Sequence, residues 1–269
     1  MSTAALEHTV QAYNLAAASE NKIHDDNVAK KFGFEGGLVP GVEVYAYMMH
    51  LPVARYGIDW LERGTASCRF NKPVYDGRNA TVCGTVQADD SIALRVESDG
   101  VLCATGEAAL SETQTPPPAN EIPTAPLPDY DTRPDAAPES LVEGQVMGTF
   151  GATIHAERNA GYLRDVRETL DIYAREGIVH PGLILRFANR ALSMNVRLGP
   201  WIHVGSEIRN FAIARIDDRL AAPARVVREY DHKGHRFVEL DVLITANGER
   251  SLARIHHTAI YRPRQVAGG

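Results

Sequence analysis

The chain has 269 residues, of which 44% are hydrophobic and 23% are charged. This composition is typical of a folded globular protein and excludes a disordered chain. The net charge is -6, with 28 Lys plus Arg against 34 Asp plus Glu, and no basic run points to a nucleic-acid partner.

Neither a membrane span nor a secretory signal is predicted. No stretch approaches the roughly 18 apolar residues that a spanning helix needs, and residues 1–21 lack a basic start followed by an apolar segment. The three cysteines, Cys68, Cys83 and Cys103, have no metal-like spacing and are typical of buried thiols in a reducing compartment. We therefore expect a cytoplasmic protein with no membrane partner.

The first half of the chain predicts a short helix, a buried helix and then a series of strands. The short helix covers residues 26–32, and residues 38–56 are apolar on nearly all sides, which indicates a helix enclosed by other elements. Alternating or apolar runs separated by turn residues predict strands at 66–71, 80–88, 92–98 and 101–110.

A proline-rich segment follows this first half. Eight of the chain's 15 prolines lie between residues 113 and 138, a density that is incompatible with helix or central strand. We expect a stiff linker over residues 113–140, which separates an N-terminal unit, 1–112, from a C-terminal unit, 141–269.

The second half repeats the plan of the first. Pro40-Gly41 recurs as Pro181-Gly182 at an offset of 141, and Phe70 recurs as Phe211 at the same offset. The corresponding predicted elements are a helical stretch at 163–176, a buried helix within 178–196 and strands at 207–214, 224–230, 236–245 and 251–261. Two units of more than 100 residues indicate an internal duplication and not a solenoid.

This order of elements predicts an α+β fold. Each unit would wrap an antiparallel sheet around one buried helix. Since such a sheet leaves an open edge, the two units are expected to pair edge to edge.

One segment of the N-terminal unit combines several motif residues. Asn21-x-x-His24 has an acid two residues on at Asp26, then Gly33-Phe34, and then a glycine-rich turn that ends at Pro40-Gly41. This pattern resembles the MaoC-like hydratases and dehydratases. The resemblance implies a double hotdog fold, in which two antiparallel sheets each wrap a central helix about a pseudo-twofold axis, with the dyad in one copy while the other shapes the acyl pocket.

The resemblance also implies a catalytic dyad. In the family an Asp and a His hold the water that adds to, or leaves, a double bond conjugated to an acyl thioester. His24 and Asn21 match the family pattern, whereas Ser19 stands where the family has its Asp. Four replacements stay open: Glu20, Asp25, Asp26 or a residue of the C-terminal unit.

The same residues suit this chemistry physically. His24 is expected to act as acid and base because its ordinary pKa lies near neutrality, with Asn21 and Ser19 as polar supports. N–H groups at the start of the buried helix would stabilise an enolate oxyanion. The expected substrate contacts are Gly36, Gly37, Leu38, Val39, Gly41 and Tyr45.

These expectations define a cofactor-free hydro-lyase for a small acyl substrate, with a CoA thioester as one option. We expect a homodimer and no metal, because no His, Cys or carboxylate cluster has zinc spacing. The alternatives are a non-catalytic acyl-binding protein and a thioesterase with Glu43 as its acid. His24 could instead belong to the start of a short helix that Asp25 caps.

Four histidines of the second half are further candidates for functional roles. His180 precedes the second Pro-Gly turn, and His203 with Ser206 faces either the pocket or solvent. His256 and His257 are neighbours in a strand, so their side chains are expected on opposite faces.

Overall fold

Ten antiparallel strands form one continuous sheet in the computed structural model, which describes residues 5–17, 19–112 and 115–264. The strands are β1 Ala5–Gln11, β2 Gly64–Phe70, β3 Asn79–Val86, β4 Ile92–Ser98, β5 Val101–Leu110, β6 Val146–Thr153, β7 Ile202–Asn210, β8 Arg219–His232, β9 His235–Ala246 and β10 Arg250–Arg262. Their order across the sheet is β1-β3-β4-β5-β2-β7-β10-β9-β8-β6.

Two central helices pack against this sheet and against each other. They are α2 Gly41–Tyr56 and α6 Pro181–Ser193, and four shorter helices accompany them: α1 Asp26–Lys31, α3 Ile58–Arg63, α4 Ala156–Asp165 and α5 Ile172–Glu176. Tyr45, Tyr47, Met48 and Met49, on several sides of α2, are all buried, as its apolar sequence predicts. None of the helices in residues 5–17, 19–112 and 115–264 is long and apolar enough to cross a membrane.

The two halves of the chain meet where β2 pairs with β7. Thr65 lies opposite Arg209 and Arg69 lies opposite Gly205, so the junction continues the hydrogen-bonded ladder. This pairing removes an open edge from each half. The arrangement confirms the predicted α+β double hotdog with edge-to-edge pairing.

Several elements differ from the sequence-based expectation. The edge strands β1 and β6 and the short helix α3 were not predicted, and β7 begins five residues before the predicted start at 207. The expectation of one helical stretch at 163–176 is wrong: α4 ends at Asp165, and a separate helix, α5, begins at Ile172. Arg167 between them has a positive φ of 58°, which a continuing right-handed helix does not allow.

The described part of the proline-rich segment lies against the C-terminal unit. Ser251 Oγ donates to the carbonyl of Pro117 at 2.7 Å, and Arg254 pairs with Glu121 at 2.8 Å. Arg197 pairs with Asp135 at 2.6 Å. The segment carries short 3₁₀ turns at Tyr130–Thr132 and Pro138–Ser140. Residues 113 and 114 of the predicted linker lie outside the described residues.

Candidate active site

His24 lies at the end of a short 3₁₀ turn, Lys22–His24, just before α1. Its Nδ1 is 2.6 Å from the carbonyl oxygen of Leu38. Because a carbonyl only accepts, Nδ1 carries the proton and Nε2 of the neutral ring is left as an acceptor. Burial lowers the pKa of His24 to about 4, more than the bond to Leu38 raises it, and the positive charge of Arg186 lowers it further. The imidazole is therefore neutral at pH 7.

Asn21 fixes the other side of the imidazole. Its Oδ1 accepts the N–H of Trp201 at 3.1 Å, and its Nδ2 donates to the Trp201 carbonyl at 2.9 Å. These bonds determine the orientation of the carboxamide, so the second Nδ2 hydrogen is directed to Nε2 of His24 at 3.3 Å. A residue of the C-terminal unit thus positions the motif of the N-terminal unit.

The glycine-rich turn packs directly against the backbone of His24. A Cβ at Gly37 would lie 2.2 Å from the His24 carbonyl oxygen, so only glycine fits without a backbone shift. Asp26 accepts the Gly37 N–H at 2.7 Å. Asp25 caps α1 by accepting from Asn27 and Val28, as the alternative interpretation of this segment predicted. Both acids are engaged in holding the backbone.

A cavity of ≈ 380 Å³ opens beside His24 and Asn21. Ser19 and Glu20 line it as well, together with the start of α2 at Val42. The other lining residues come from the preceding turn, the proline-rich segment, α6 and the loop after it: Ala16, Pro40, Tyr130, Arg133, Arg186, Asn189, Arg190, Ser193, Leu198 and Trp201. The cavity therefore lies between the two units.

None of the predicted substrate contacts lines this cavity. Leu38 holds His24 through its carbonyl, Val39 is buried in the core, and Gly36 lies against Asp26. Gly41 packs against Phe70 and His203, and Tyr45 is buried on the inner side of α2, near the Cys68 thiol. A role in substrate binding stays a prediction for these residues and for Gly37.

Four polar residues of α6 were missed by the sequence analysis. Arg186, Asn189, Arg190 and Ser193 line the cavity and recur at helical spacing on an otherwise apolar helix. This polar stripe was the available signal. Asn189 Oδ1 is buried and has no hydrogen-bond partner in the described part of the chain, so it is available to a ligand.

Arg186 joins the two central helices through a buried ion pair. Its guanidinium lies 2.5 Å from Glu43 Oε1, and the Glu43 side chain is fully buried. Burial alone would lower the pKa of Arg186, but the Glu43 carboxylate outweighs it and raises the pKa of Arg186. Glu43, the acid of the thioesterase alternative, is thus engaged in an ion pair and does not line the cavity.

The proline-rich segment contributes one wall. The Arg133 guanidinium stacks over the Tyr130 ring at 3.7 Å and donates to the Ser193 carbonyl at the end of α6. Glu20 lies 3.6 Å from Arg133, and its carboxylate raises the pKa of Tyr130. The segment predicted as a linker therefore also builds the site.

His203 and Ser206 do not line the cavity, and the expectation of a solvent-facing His203 is wrong. Both side chains are buried in a network in which Ser206 Oγ lies 2.9 Å from His203 Nε2 and 3.0 Å from His257 Nδ1. Burial lowers the pKa of His203 to about 3. His256 lies on the opposite face of the strand and is partly exposed, which confirms the predicted alternation.

His180 caps the second central helix. Its Nδ1 accepts the N–H of Gly182 at 3.0 Å, and its Nε2 lies 3.6 Å from Glu168. The ring is fully buried among tyrosines of α4 and α5. Within the described residues, no group of three or more His, Cys, Asp or Glu side chains could hold a metal ion.

The fold of the chain is shared with solved double hotdog structures. No protein-family model and no curated protein matches the sequence. A protein assigned as a MaoC-domain dehydratase from Chloroflexus aurantiacus is 13% identical with a TM-score of 0.68, over 97% of this chain and 95% of that one. A conserved hypothetical protein from Mycobacterium tuberculosis with a double hotdog fold is 14% identical with a TM-score of 0.66, over 97% and 96%.

A third structure has a related architecture. The dehydratase domain of a curacin polyketide synthase is 14% identical, with a TM-score of 0.58 over 97% of this chain and 94% of that domain. The predicted resemblance to MaoC-like double hotdog proteins is therefore confirmed at the level of the fold. At these identities the chemistry has to be argued from the site itself.

Proposed function

We propose that this protein is a hydro-lyase that hydrates or dehydrates an acyl thioester, such as an enoyl-CoA and its 3-hydroxyacyl-CoA, or a related conjugated carbonyl compound. One observation carries the proposal: His24, whose unprotonated Nε2 accepts only the 3.3 Å bond from Asn21, lines a cavity beside the first turn of α2. A neutral imidazole in this setting is a suitable proton acceptor at neutral pH.

The start of α2 would stabilise the developing charge. The first N–H groups of a helix have no partner within the helix, and Val42 in the first turn of α2 lines the cavity. A thioester carbonyl placed there would receive these N–H groups and the positive end of the helix dipole. This arrangement favours the enolate over the bound thioester.

The proton transfers balance with His24 alone. In hydration, Asn21 Nδ2 gives up its 3.3 Å bond to Nε2, and Nε2 then accepts a proton from water while the water oxygen bonds to the β-carbon and the electron pair of the double bond moves to the thioester oxygen. The resulting Nε2–H then returns the proton to the α-carbon and the carbonyl reforms. Dehydration is the reverse sequence.

Glu20 is the carboxylate that we assign to the water. It lines the same cavity as His24 and lies 3.6 Å from Arg133. Asp25 and Asp26 already accept backbone N–H groups. Among the described lining residues Glu20 is the only acid. It would therefore orient the water, because Ser19, at the family's Asp position, has no carboxylate with which to do so.

The test is a product assay with but-2-enoyl-CoA. Loss of enoyl absorbance with the thioester intact means hydration, and release of free thiol means hydrolysis. His24→Gln should lower the hydration rate by about 10²–10⁴-fold because the positioned base is lost, while the circular dichroism spectrum is retained. The matched control is His155→Gln, since His155 is exposed and does not line the cavity.

Two results would contradict the proposal. One is full hydration by His24→Gln. The other is binding of thioesters by the wild-type protein with no turnover of any enoyl or 3-hydroxyacyl thioester, which would favour the acyl-binding alternative.

A further inference from the structure

The walls of the cavity beside His24 are mainly polar. In the described part of the chain, nine of its 15 lining residues have charged or polar side chains. Ligand pockets are usually lined by apolar and aromatic side chains, which cover the apolar part of a ligand. A long alkyl chain in this cavity would instead take water away from polar groups without giving them a new partner, which is costly. The walls therefore favour a ligand with little alkyl surface.

An ion pair between the two central helices closes the inner end of the cavity. Arg186 lines the cavity, and its Nε donates to Glu43 Oε1 at 2.7 Å. The buried ring of Tyr162 lies behind the pair, with its centroid 5.4 Å from the Arg186 guanidinium carbon. An alkyl chain that continued inward would have to separate Arg186 from Glu43 and leave a buried charge without its partner.

The two helices leave no space behind that ion pair. Gly182 lies about one turn before Arg186 on α6, and Ala46 lies about one turn after Glu43 on α2. A Cβ at Gly182 would lie 2.7 Å from the Ala46 Cβ and 2.2 Å from the Tyr162 hydroxyl. Since not even a methyl group fits at this point, an alkyl chain cannot pass between α2 and α6.

The cavity is bounded in the other directions as well. Arg133 is only 7% exposed and joins the proline-rich segment to the end of α6, because it donates to the Ser193 carbonyl. Between Arg186 and Ser193, α6 runs for about 10 Å. Among the described lining residues none belongs to a strand, so the cavity does not extend into the core between α2 and the sheet.

We infer that the cavity beside His24 accepts only a short acyl chain, and that the Arg186–Glu43 pair is the group that excludes a longer one. This inference rests on the proposed function for the reacting thioester and adds the length of its acyl part. Arg186 and Glu43 are then specificity-determining residues, which act through the closed inner end of the cavity.

The test measures binding and turnover separately. Butanoyl-CoA, hexanoyl-CoA and decanoyl-CoA have no double bond to hydrate, and their dissociation constants are measured by calorimetry. The matching 2-enoyl thioesters give kcat/KM for hydration. The variant is Glu43→Leu/Arg186→Ala, in which leucine fills the buried Glu43 site and alanine opens the inner end without leaving an unpaired charge. Its matched control is Asp171→Leu/Arg175→Ala, which removes an exposed ion pair.

In an apolar channel each added methylene raises the affinity about fourfold. The wild-type protein should show no rise in affinity from butanoyl-CoA to decanoyl-CoA, and its kcat/KM should fall at least about 10-fold from but-2-enoyl-CoA to dec-2-enoyl-CoA. The Glu43→Leu/Arg186→Ala variant should bind hexanoyl-CoA more tightly than butanoyl-CoA, by up to about fourfold per methylene. The control variant should keep the wild-type pattern.

A steady rise in wild-type affinity with chain length, or binding of none of the three saturated probes, overturns the inference. A Glu43→Leu/Arg186→Ala variant that is folded by circular dichroism and keeps the wild-type pattern does so too, and if this variant does not fold, the wild-type series decides. Equal hydration of but-2-enoyl-CoA and dec-2-enoyl-CoA would keep the proposed function and remove the inference. Selective binding of the short probe with no turnover of any enoyl thioester would do the opposite.

Discussion

Asn21 connects the two halves of the chain through one side chain. Its carboxamide accepts from the N–H of Trp201 and donates to the carbonyl of Trp201. The second hydrogen of the Asn21 amide group is thereby directed to His24. The sequence motif identifies Asn21 and His24 as a pair, but the partner that orients them lies 180 residues away in sequence. Sequence spacing could therefore predict the two residues and not the orientation of the carboxamide that is directed to the imidazole.

Asn21→Asp should change the pH profile of the reaction. In the wild-type protein the pKa of His24 is lowered to about 4, so kcat/KM should stay constant as the pH falls from 7 and decrease only near that value. A carboxylate beside Nε2 would stabilise the imidazolium and raise its pKa. The acidic limb of the kcat/KM profile should then move upward, toward the ordinary value of about 6.5.

A matched control for this profile is Asn27→Asp, which adds the same charge on the exposed side of α1. It should leave the acidic limb in place. An identical acidic limb in the wild-type protein and Asn21→Asp would mean that His24 is not the group that must be neutral.

At the scale of the elements, the glycine-rich turn positions His24 by packing against its backbone and by accepting a hydrogen bond from its ring. Gly37→Ala would place a Cβ 2.2 Å from the His24 carbonyl, and neither backbone segment can yield without moving Leu38, which holds the ring. We expect at least about a 10-fold loss of kcat, since small displacements of a positioned group are costly, and a loss of about 1–3 kcal/mol of stability through overpacking.

Gly161→Ala is the control for this substitution. Gly161 lies inside α4, its added Cβ would meet only the end of Arg164 at 3.7 Å, and the change should raise stability by about 0.5–1 kcal/mol. Thermal unfolding and kcat are measured for both variants. An active Gly37→Ala with unchanged kcat would show that the turn does not position His24.

The strands and helices that could be predicted are those with strong apolar patterns. The predicted ranges 92–98 and 101–110 match β4 and β5, and the apolar runs predicted both central helices. The edge strands β1 and β6 carry mixed polar and glycine sequence, and each pairs with a strand about 70 residues away. Such pairing is decided by the rest of the sheet and not by local preference.

At the scale of the whole molecule, the internal duplication explains which features of the fold could be predicted from the sequence and which could not. The repeat offset of 141 predicted two similar units, and their open sheet edges predicted edge-to-edge pairing, which occurs between β2 and β7. It could not predict what each unit adds to the other, since the cavity combines a motif of the N-terminal unit with the polar stripe of α6 and with Arg133 of the proline-rich segment. Those contributions depend on tertiary placement.

The buried histidine network makes the stability of the whole fold dependent on pH. Burial lowers the pKa of His203 to about 3 and that of His257 well below its ordinary value. Below about pH 6.5 the unfolded chain binds protons at these histidines and the native protein does not, so stability falls as the pH falls. Each group should remove about 1.4 kcal/mol per pH unit between roughly pH 6 and 4.

Denaturant unfolding at pH 7, 6 and 5 measures this dependence. His257→Asn keeps a partner for Ser206 and removes one titrating group, so the slope of unfolding free energy against pH should decrease by about one proton. His155→Asn, at an exposed site, should keep the wild-type slope. Equal slopes in the wild-type protein and His257→Asn would mean that the buried imidazole is not neutral in the native state.

The central claim is that His24 presents an unprotonated Nε2 to the cavity at neutral pH. The most direct measurement is a ¹⁵N NMR titration of the histidine side chains, with the His24 signals assigned through His24→Gln. The account predicts a neutral ring with the proton on Nδ1, and no protonation of Nε2 until the pH falls to about 4. A proton on Nε2 at pH 7, or titration near pH 6.5, would contradict it.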